Sequence, residues 1–159
     1  MHHFPFLSPL LMKLIVNVPA FNEAEKIGDT IRRIPRSFQG VDTVVVQVVD
    51  DGSSDRTGSI ARDAGADRVI VHPRNMGLGK TFRTSVEAAL EDDADLFVNI
   101  DADGQFNPHD IALLIEPILS GKAEIVSADR FGEFAAKNIP LVKDRLNRVA
   151  AKLISGFLK

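Results

Sequence analysis

The sequence predicts one α/β domain with a mostly parallel, doubly wound sheet and helices on both faces. Short β-branched apolar runs alternate along the chain with segments whose apolar residues recur at helical spacing. The run from Thr43 to Val49 is apolar almost throughout, as expected for a strand covered on both faces. The connections suit right-handed crossovers between parallel strands. At 159 residues, the chain has room for one such domain with a core, but not for two.

Five strands and four helices are predicted in order. The strands are Leu14–Val18, Thr43–Val49, Arg68–Val71, Leu96–Ile100 and Ala123–Ser127. The helices run from Asn22, as N-cap, to about Arg33, and over Arg56–Ala64, Thr81–Leu90 and Asp110–Leu119. Pro19 stops the first strand, because proline cannot donate to a central ladder.

The two ends of the chain differ from the part between them. Residues 1–12 are interrupted by prolines and lack the basic start of a signal peptide, so we expect a disordered extension before a domain of residues 13–159. Residues 130–159 hold seven basic and two acidic residues, a net charge of +5, and since the whole chain carries −3, the first 129 residues carry −8. Residues 141–158 are predicted to form a basic amphipathic helix that packs on the core or lies on an anionic membrane.

The composition argues against several classes of protein. Charged residues make up 26% and hydrophobic residues 45% of the chain, and no apolar run is long enough to span a bilayer. The chain has no cysteine, which excludes disulfides and fits the cytoplasm, with the cytoplasmic face of the membrane as an alternative. A net charge of −3 gives no argument for nucleic-acid binding.

An acidic turn follows the fourth predicted strand. Asp101 and Asp103 come directly after Ile100, and ligands bind at the carboxyl edge of open α/β sheets. Two close carboxylates repel each other unless water solvates them or a cation lies between them. Mg²⁺ and Mn²⁺ take such oxygen ligands together with phosphates. Considered alone, the pair is explained more simply as a solvated turn.

Two other strand ends also carry polar side chains. Asn22 and Glu23 follow the first strand, and Asp50 and Asp51 follow the second. Aspartates there serve turns, but they also accept hydrogen bonds from a nucleobase or a ribose. Acidic or amide groups at three strand ends favour a binding site.

The glycine-rich segment before the third helix does not fit a nucleotide-binding fingerprint. Gly77-Leu78-Gly79-Lys80-Thr81 resembles the end of a P-loop, but Arg74 stands where that motif needs its first glycine. A dinucleotide-binding pattern fails at Phe82. We expect a turn and a helix start, with Lys80 available to neutralise a phosphate.

Together these segments resemble family 2 glycosyltransferases, most closely the polyprenol (dolichyl) phosphate mannose or glucose synthases. The resemblance runs from about Lys13 to the end of the chain. It rests on Pro19-Ala20-Phe21-Asn22-Glu23, Val49-Asp50-Asp51-Gly52-Ser53-Ser54-Asp55-Arg56-Thr57, Asn75-Met76-Gly77-Leu78-Gly79-Lys80 and Asp101-Ala102-Asp103-Gly104-Gln105. It implies a GT-A (Rossmann-like) fold, a nucleotide-diphosphate sugar donor, Mg²⁺ or Mn²⁺, and transfer with inversion.

The resemblance also implies roles for individual residues. Pro19, Phe21 and Glu23 would surround the nucleoside, with Phe21 in place of the usual tyrosine. Asp51, with Asp50 beside it, would hold the base. The metal would be held by Asp101, Asp103 and Gln105.

Basic residues near the end of the chain would neutralise the donor phosphates. Arg130 follows Ala128 and Asp129, where the family often has Gly-Ser-Arg, so Asp129 is a departure. Lys143 matches a family cation in a pattern with Pro140 and Asn147, and Arg145 lies nearby. Asp103, Arg130 and Lys143 are therefore the predicted catalytic residues.

The implied reaction moves a hexose from a GDP-mannose or UDP-glucose type of donor to an acceptor. A polyprenyl phosphate suits the sequence, because a phosphate oxyanion needs no dedicated general base. The family continues with an acceptor-binding segment, so the domain is expected to be incomplete at its C-terminal end. Two alternatives stay open: a nucleotidyltransferase of related α/β fold, and a non-catalytic nucleotide-sugar-binding module.

Overall fold

Four parallel strands form the central sheet of the computed structural model, which describes residues 11–128. The elements are β1 (Lys13–Ala20), α1 (Ile27–Arg33), β2 (Thr43–Asp50), α2 (Thr57–Asp63), β3 (Arg68–Val71), α3 (Leu78–Glu91), β4 (Leu96–Asn99) and α4 (Ile111–Leu119). A 3₁₀ turn, Pro108–Asp110, leads into α4. The mostly parallel α/β architecture predicted from the sequence is confirmed.

The strand order is β3-β2-β1-β4. Strands β1, β2 and β3 follow one another across the sheet in chain order, whereas β4 pairs with the opposite edge of β1. Such a reversal leaves a crevice between the connections at the carboxyl ends of two neighbouring strands, here β1 and β4. The fold thus places its natural binding position between the segment after Ala20 and the segment after Asn99.

The main core lies on the face of the sheet that α1, α2 and α4 cover. Alternate residues of β1 point into it, because successive side chains of a strand face opposite sides. Its members include Leu14, Val16, Val18, Val46, Val48, Ile27, Ile31, Ile111 and Ile115, each at most 2% exposed. Packing of this quality makes the sheet a rigid base for the loops at its carboxyl edge.

The opposite face, under α3, carries a row of polar side chains at matching positions in all four strands. Asn17 pairs in register with Gln47 and Asn99, and Gln47 pairs with Arg68. Asn17 donates to Asn99 at 2.7 Å, and Gln47 donates to Asn17 at 3.1 Å. Gln47 also donates to the carbonyl oxygen of Ser85 in α3 at 3.0 Å. The row joins α3 to the sheet in one register.

Two predicted helix starts are wrong. Asn22 does not cap α1: it has a φ of 55°, and its side-chain oxygen accepts from the Ser54 amide at 2.9 Å. The helix begins at Ile27, after a turn in which the Ile27 amide bonds to the Glu23 carbonyl oxygen. Conversely, α3 begins at Leu78, one turn earlier than the predicted Thr81, because Gly77, with a φ of 86°, ends the preceding loop and Gly79 already lies in the first turn of the helix.

The fifth strand predicted at Ala123–Ser127 does not form within the described residues. The amides of Lys122 and Ala123 both bond to the carbonyl oxygen of Pro117, which ties the start of this segment to the end of α4. Ile125 is 89% exposed. A β-branched run becomes a strand through pairing and burial, and this run has neither here.

Several predictions fall on residues that the structure does not describe. They concern residues 1–10 of the extension, the cations Arg130, Lys143 and Arg145, and the helix predicted for residues 141–158. Between residues 11 and 128, none of the helices has the length and apolar character needed to cross a bilayer.

Candidate functional site

An open cleft of about 330 Å³ lies at the carboxyl edge of the sheet, where the strand order reverses. Strand ends contribute Pro19, Ala20, Phe21, Glu23, Asp51, Asp101, Ala102 and Asp103, and the start of α3 with the loop before it contributes Asn75, Gly77, Leu78 and Thr81. The segments after β1, β2 and β4 thus meet in one cavity, as predicted from their polar strand ends.

Not every predicted site residue lines this cleft. Pro19, Phe21, Glu23, Asp51, Asp101 and Asp103 do, whereas Asp50, Gln105 and Lys80 are absent from its walls. Lys80 is exposed on the first turn of α3. Asp50 is buried, its Oδ1 accepts from the Ser53 amide at 2.9 Å, and its Oδ2 lies against Gly58 of α2. Asp50 therefore holds the turn between β2 and α2.

The cleft between residues 11 and 128 is acidic. Glu23, Asp51, Asp101 and Asp103 line it, and no lysine or arginine of this part of the chain does. Four carboxylates around one small cavity make its electrostatic potential more negative, because walls of low dielectric constant focus the electric field. An anionic ligand such as a diphosphate would be repelled unless a cation were bound with it.

The turn after β4 presents Asp101 and Asp103 on either side of a fixed residue. Ala102 is buried, and its carbonyl oxygen accepts from the Thr30 hydroxyl of α1 at 3.1 Å. Asp103 Oδ1 accepts from the Gln105 amide at 2.9 Å, which closes a local turn around Gly104, whose φ is 72°. The packing of Ala102 thus directs both carboxylates to the cleft.

The donor set in this turn fits a hard divalent cation held jointly with a ligand. Within the described range, no three His, Asp or Glu side chains are grouped as a complete metal site. Asp101 and Asp103 supply two carboxylates, and Mg²⁺ is commonly bound by one or two carboxylates together with substrate phosphates and water. The residues therefore suit an ion whose remaining ligands come from a diphosphate, with Gln105 supporting the turn through its amide.

Asp51 lies at the other end of the cleft and is 5% exposed. Its Oδ1 accepts from His72 Nδ1 at 2.7 Å and from the Met76 amide at 2.9 Å, and its Oδ2 accepts from the Gly77 amide at 2.9 Å. Burial alone would raise the pKa of Asp51, but the bonds from His72, Met76 and Gly77 outweigh it, so this pKa lies below its usual value. Through these hydrogen bonds, the ionised carboxylate at the end of β2 holds the loop before α3 in place.

His72 is a partner of the cleft residue Asp51 that the sequence did not reveal. It is 8% exposed, its Nδ1 donates to Asp51, and its Nε2 lies within hydrogen-bonding distance, 3.0 Å, of the Thr84 hydroxyl oxygen. It follows β3, 21 positions after Asp51. A lone histidine before a proline gives no sign of such a distant partner, and the pairing of β2 with β3 creates it.

Replacing Asp51 by alanine should lower the free energy of unfolding by about 3 kcal/mol at neutral pH, because two amides and an imidazole lose their acceptor. The carboxylate has a lowered pKa in the folded state, so its stabilisation is present above about pH 4 and declines as the pH falls below that value. Urea unfolding of both proteins at pH 7 and at pH 3 measures this. A difference between wild type and variant that did not shrink at pH 3 would contradict the assignment.

A parallel sheet with an acidic cleft at its topological reversal defines an α/β domain of the class that binds ligands at the carboxyl edge of its sheet. The chain belongs to glycosyl transferase family 2, whose family model matches residues 15–152. A solved structure of glucosyl-3-phosphoglycerate synthase from Mycobacterium tuberculosis, in complex with Mn²⁺, uridine-diphosphate-glucose and phosphoglyceric acid, is similar with 27% identity and a TM-score of 0.57. That similarity covers 70% of this chain and 40% of the other, and the fold is of the GT-A type.

Curated relatives show the same relationship. A protein of Methanocaldococcus jannaschii without an assigned function is 37% identical over 134 residues, which cover 82% of this chain and 52% of that protein. A UDP-N-acetylglucosamine–dolichyl-phosphate N-acetylglucosaminyltransferase of Methanococcus voltae is 32% identical, covering 79% and 55%. A dolichol-phosphate mannosyltransferase of Pyrococcus furiosus is 34% identical, covering 76% and 34%. The chain spans about half the length, or less, of these relatives.

Proposed function

We propose that this chain binds a nucleotide-diphosphate sugar with Mg²⁺ or Mn²⁺ and serves inverting transfer of the hexose to a polyprenyl phosphate. The observation that carries the proposal is the acidic cleft at the reversal of strand order, with Asp101 and Asp103 at one end and Asp51 at the other. Its charge suits a diphosphate only when a cation is bound with it. Similarity to a synthase solved with Mn²⁺ and UDP-glucose supports this choice of ligand.

The two ends of the cleft would bind different parts of the donor. Asp101 and Asp103 would hold the cation, which supplies positive charge at the diphosphate. Phe21 is 44% exposed at the cleft and offers an aromatic face to the nucleoside, and Pro19 lies two residues before it. The amide of Glu23 donates to Thr57 Oγ1 at 2.8 Å, which fixes the loop that carries Phe21. The two ends follow β2 and β4, which lie on either side of β1, and neighbouring strands are about 4.8 Å apart.

Charge also governs the transfer step. The leaving nucleoside diphosphate gains negative charge as the sugar–phosphate bond breaks, and groups placed to meet that charge lower the barrier. Arg130 and Lys143, with Arg145 nearby, are proposed for this role from the sequence. Lys80 is not, since it lies outside the cleft lining.

The acceptor is proposed from two considerations. A phosphate monoester brings its own nucleophilic oxyanion and needs no dedicated base. Two relatives whose names include dolichyl phosphate or undecaprenyl phosphate as the substrate align with 79% and 75% of this chain. A lipid-phosphate acceptor would place the reaction at a membrane surface, with the basic residues 130–159 as the segment for anionic lipid.

Calorimetric titration with UDP-glucose, UDP-N-acetylglucosamine and GDP-mannose tests the donor site. We expect binding of at least one of them with Mn²⁺ present, and loss of that binding in EDTA, because the bare cleft repels a diphosphate. Equal binding with and without the ion, or none at all, would refute the donor site. Release of nucleoside diphosphate when a polyprenyl phosphate is added would separate a transferase from a binding module. In a separate assay, release of pyrophosphate from a nucleoside triphosphate and a sugar phosphate would indicate a nucleotidyltransferase.

A further inference from the structure

The turn that carries Asp101 and Asp103 is bonded to a side chain of helix α1. Among the described residues, the backbone hydrogen bonds from this part of the chain to β1 end with the Ile100 amide, which donates to a carbonyl oxygen of β1 at 3.0 Å. Two residues further on, the Ala102 carbonyl oxygen accepts from the Thr30 hydroxyl at 3.1 Å. Ala102 belongs to the main core, whereas Asp101 and Asp103 on either side of it line the cleft. A contact that holds Ala102 therefore also sets the position of both carboxylates.

The Thr30 hydroxyl donates outside its own helix. A hydroxyl side chain within a helix can bond to the carbonyl oxygen four residues before it. Thr81 and Ser85 of α3 do so, with bonds of 3.0 and 2.8 Å to the carbonyl oxygens of Gly77 and Thr81. Thr30 instead donates to a carbonyl oxygen 72 positions further along the chain. Its side chain is 2% exposed, and its Oγ1 would lie 3.8 Å from a Cβ added to Gly104, so Thr30 also packs beneath the turn.

Helix α1 gives this bond a fixed origin. Ile27 and Ile31, on the same side of the helix as Thr30, are buried in the main core. Gly28 lies so close to α2 that a Cβ added to it would be 3.0 Å from Ile60 Cγ2. Side chains packed in this way have little room to move. Because Mg²⁺ requires nearly ideal octahedral geometry, groups that orient its ligands affect its affinity as well as the ligands themselves.

We propose that Thr30 is a positioning residue for the divalent cation: its hydroxyl holds Ala102 so that Asp101 and Asp103 are both directed to the ion. This rests on the proposed function, in which the cleft takes a nucleotide diphosphate together with Mg²⁺ or Mn²⁺. Thr30 is buried and lies outside the cleft lining, so it acts through the turn and not by contact with the ligand. Loss of a group that orients metal ligands typically weakens metal affinity 10- to 100-fold.

Two variants of Thr30 separate its hydroxyl from its packing. Thr30→Val keeps the shape of the side chain and removes the hydroxyl, whereas Thr30→Ser keeps the hydroxyl and removes a methyl group. UDP and GDP are titrated into each protein by calorimetry over a series of Mn²⁺ concentrations, which gives the Mn²⁺ concentration at which half of the gain in nucleotide affinity is reached. We expect Thr30→Val to raise that concentration about 10-fold and Thr30→Ser to leave it as in wild type.

Thermal melting of the same proteins shows that they are folded and reports the loss of stability, which we expect in both variants. A purely structural role would lower the melting temperature without changing the Mn²⁺ dependence. An unchanged Mn²⁺ dependence in Thr30→Val, or an equal change in Thr30→Ser, would therefore overturn the positioning role and leave the proposed function standing. Absence of Mn²⁺-dependent binding of both nucleotides by wild type would overturn the proposed function and the role of Thr30 together.

Discussion

Replacing Asp103 by alanine is expected to reduce the Mn²⁺-dependent affinity for a nucleotide diphosphate by at least about 100-fold, since loss of even an indirect metal partner costs 10- to 100-fold. Asp103 lies at the cleft beside Ala102, which is held by the Thr30 hydroxyl, and its carboxylate is one of the two in this turn. Without it, a single carboxylate remains to hold the ion, and the charge that repels the diphosphate is no longer offset. Calorimetry with and without EDTA measures the loss.

Two further variants isolate the role of the charge. Asp103→Asn keeps an oxygen for the Gln105 amide, which Asp103 Oδ1 now accepts at 2.9 Å, and therefore preserves the turn. We expect it to lose metal-dependent binding almost as fully as alanine does. Glu91→Ala removes an exposed carboxylate at the far end of α3 and should bind like wild type. Retention of metal-dependent affinity by Asp103→Asn would show that Asp103 shapes the turn and does not hold the ion.

Replacing Gly52 by alanine should lower the free energy of unfolding by about 3 kcal/mol or more, through a strained backbone and a steric clash. Gly52 has a φ of 73°, which favours glycine. A Cβ there would lie 2.3 Å from the carbonyl carbon and 2.5 Å from the Cα of Arg74. Those are backbone atoms, so the whole loop that carries Asn75 would have to move. Urea unfolding measures the loss of stability.

The same chain offers a matched control for Gly52. Gly79 lies in the first turn of α3, where an added Cβ would meet nothing within 4 Å. Alanine is favoured over glycine in a helix by up to about 1 kcal/mol, so Gly79→Ala should be neutral or stabilising. We also expect Gly52→Ala to weaken nucleotide binding, because Arg74 directly precedes Asn75, which lines the cleft, and a shift of Arg74 would move that wall. Equal stability of the two variants would mean that the close approach of Gly52 to Arg74 is unimportant.

The elements of the fold could be predicted because their signals are local. The runs around Val16, Val46 and Val98 are apolar and β-branched, and the strands formed within a few residues of the predicted bounds. The same local patterns gave wrong predictions where contacts with residues distant in the sequence determine the local structure. Asn22 has the chemistry of an N-cap, but the Ser54 amide engages its side chain. The run around Ile125 has the composition of a strand, but it has no neighbour to pair with among the described residues.

The sequence by itself determined where strands, helices and polar strand ends follow one another along the chain. It therefore also determined the family resemblance and the acidic turn at Asp101 and Asp103. What only the tertiary structure decided is which of these groups face a common cavity. Asp50 and Asp51 are adjacent in the chain, yet successive side chains of a strand diverge, so one supports a turn and the other lines the cleft. The contact between Asp51 and His72 depends on the pairing of β2 with β3. Such contacts join residues more than 20 positions apart, and local periodicity contains no information about them.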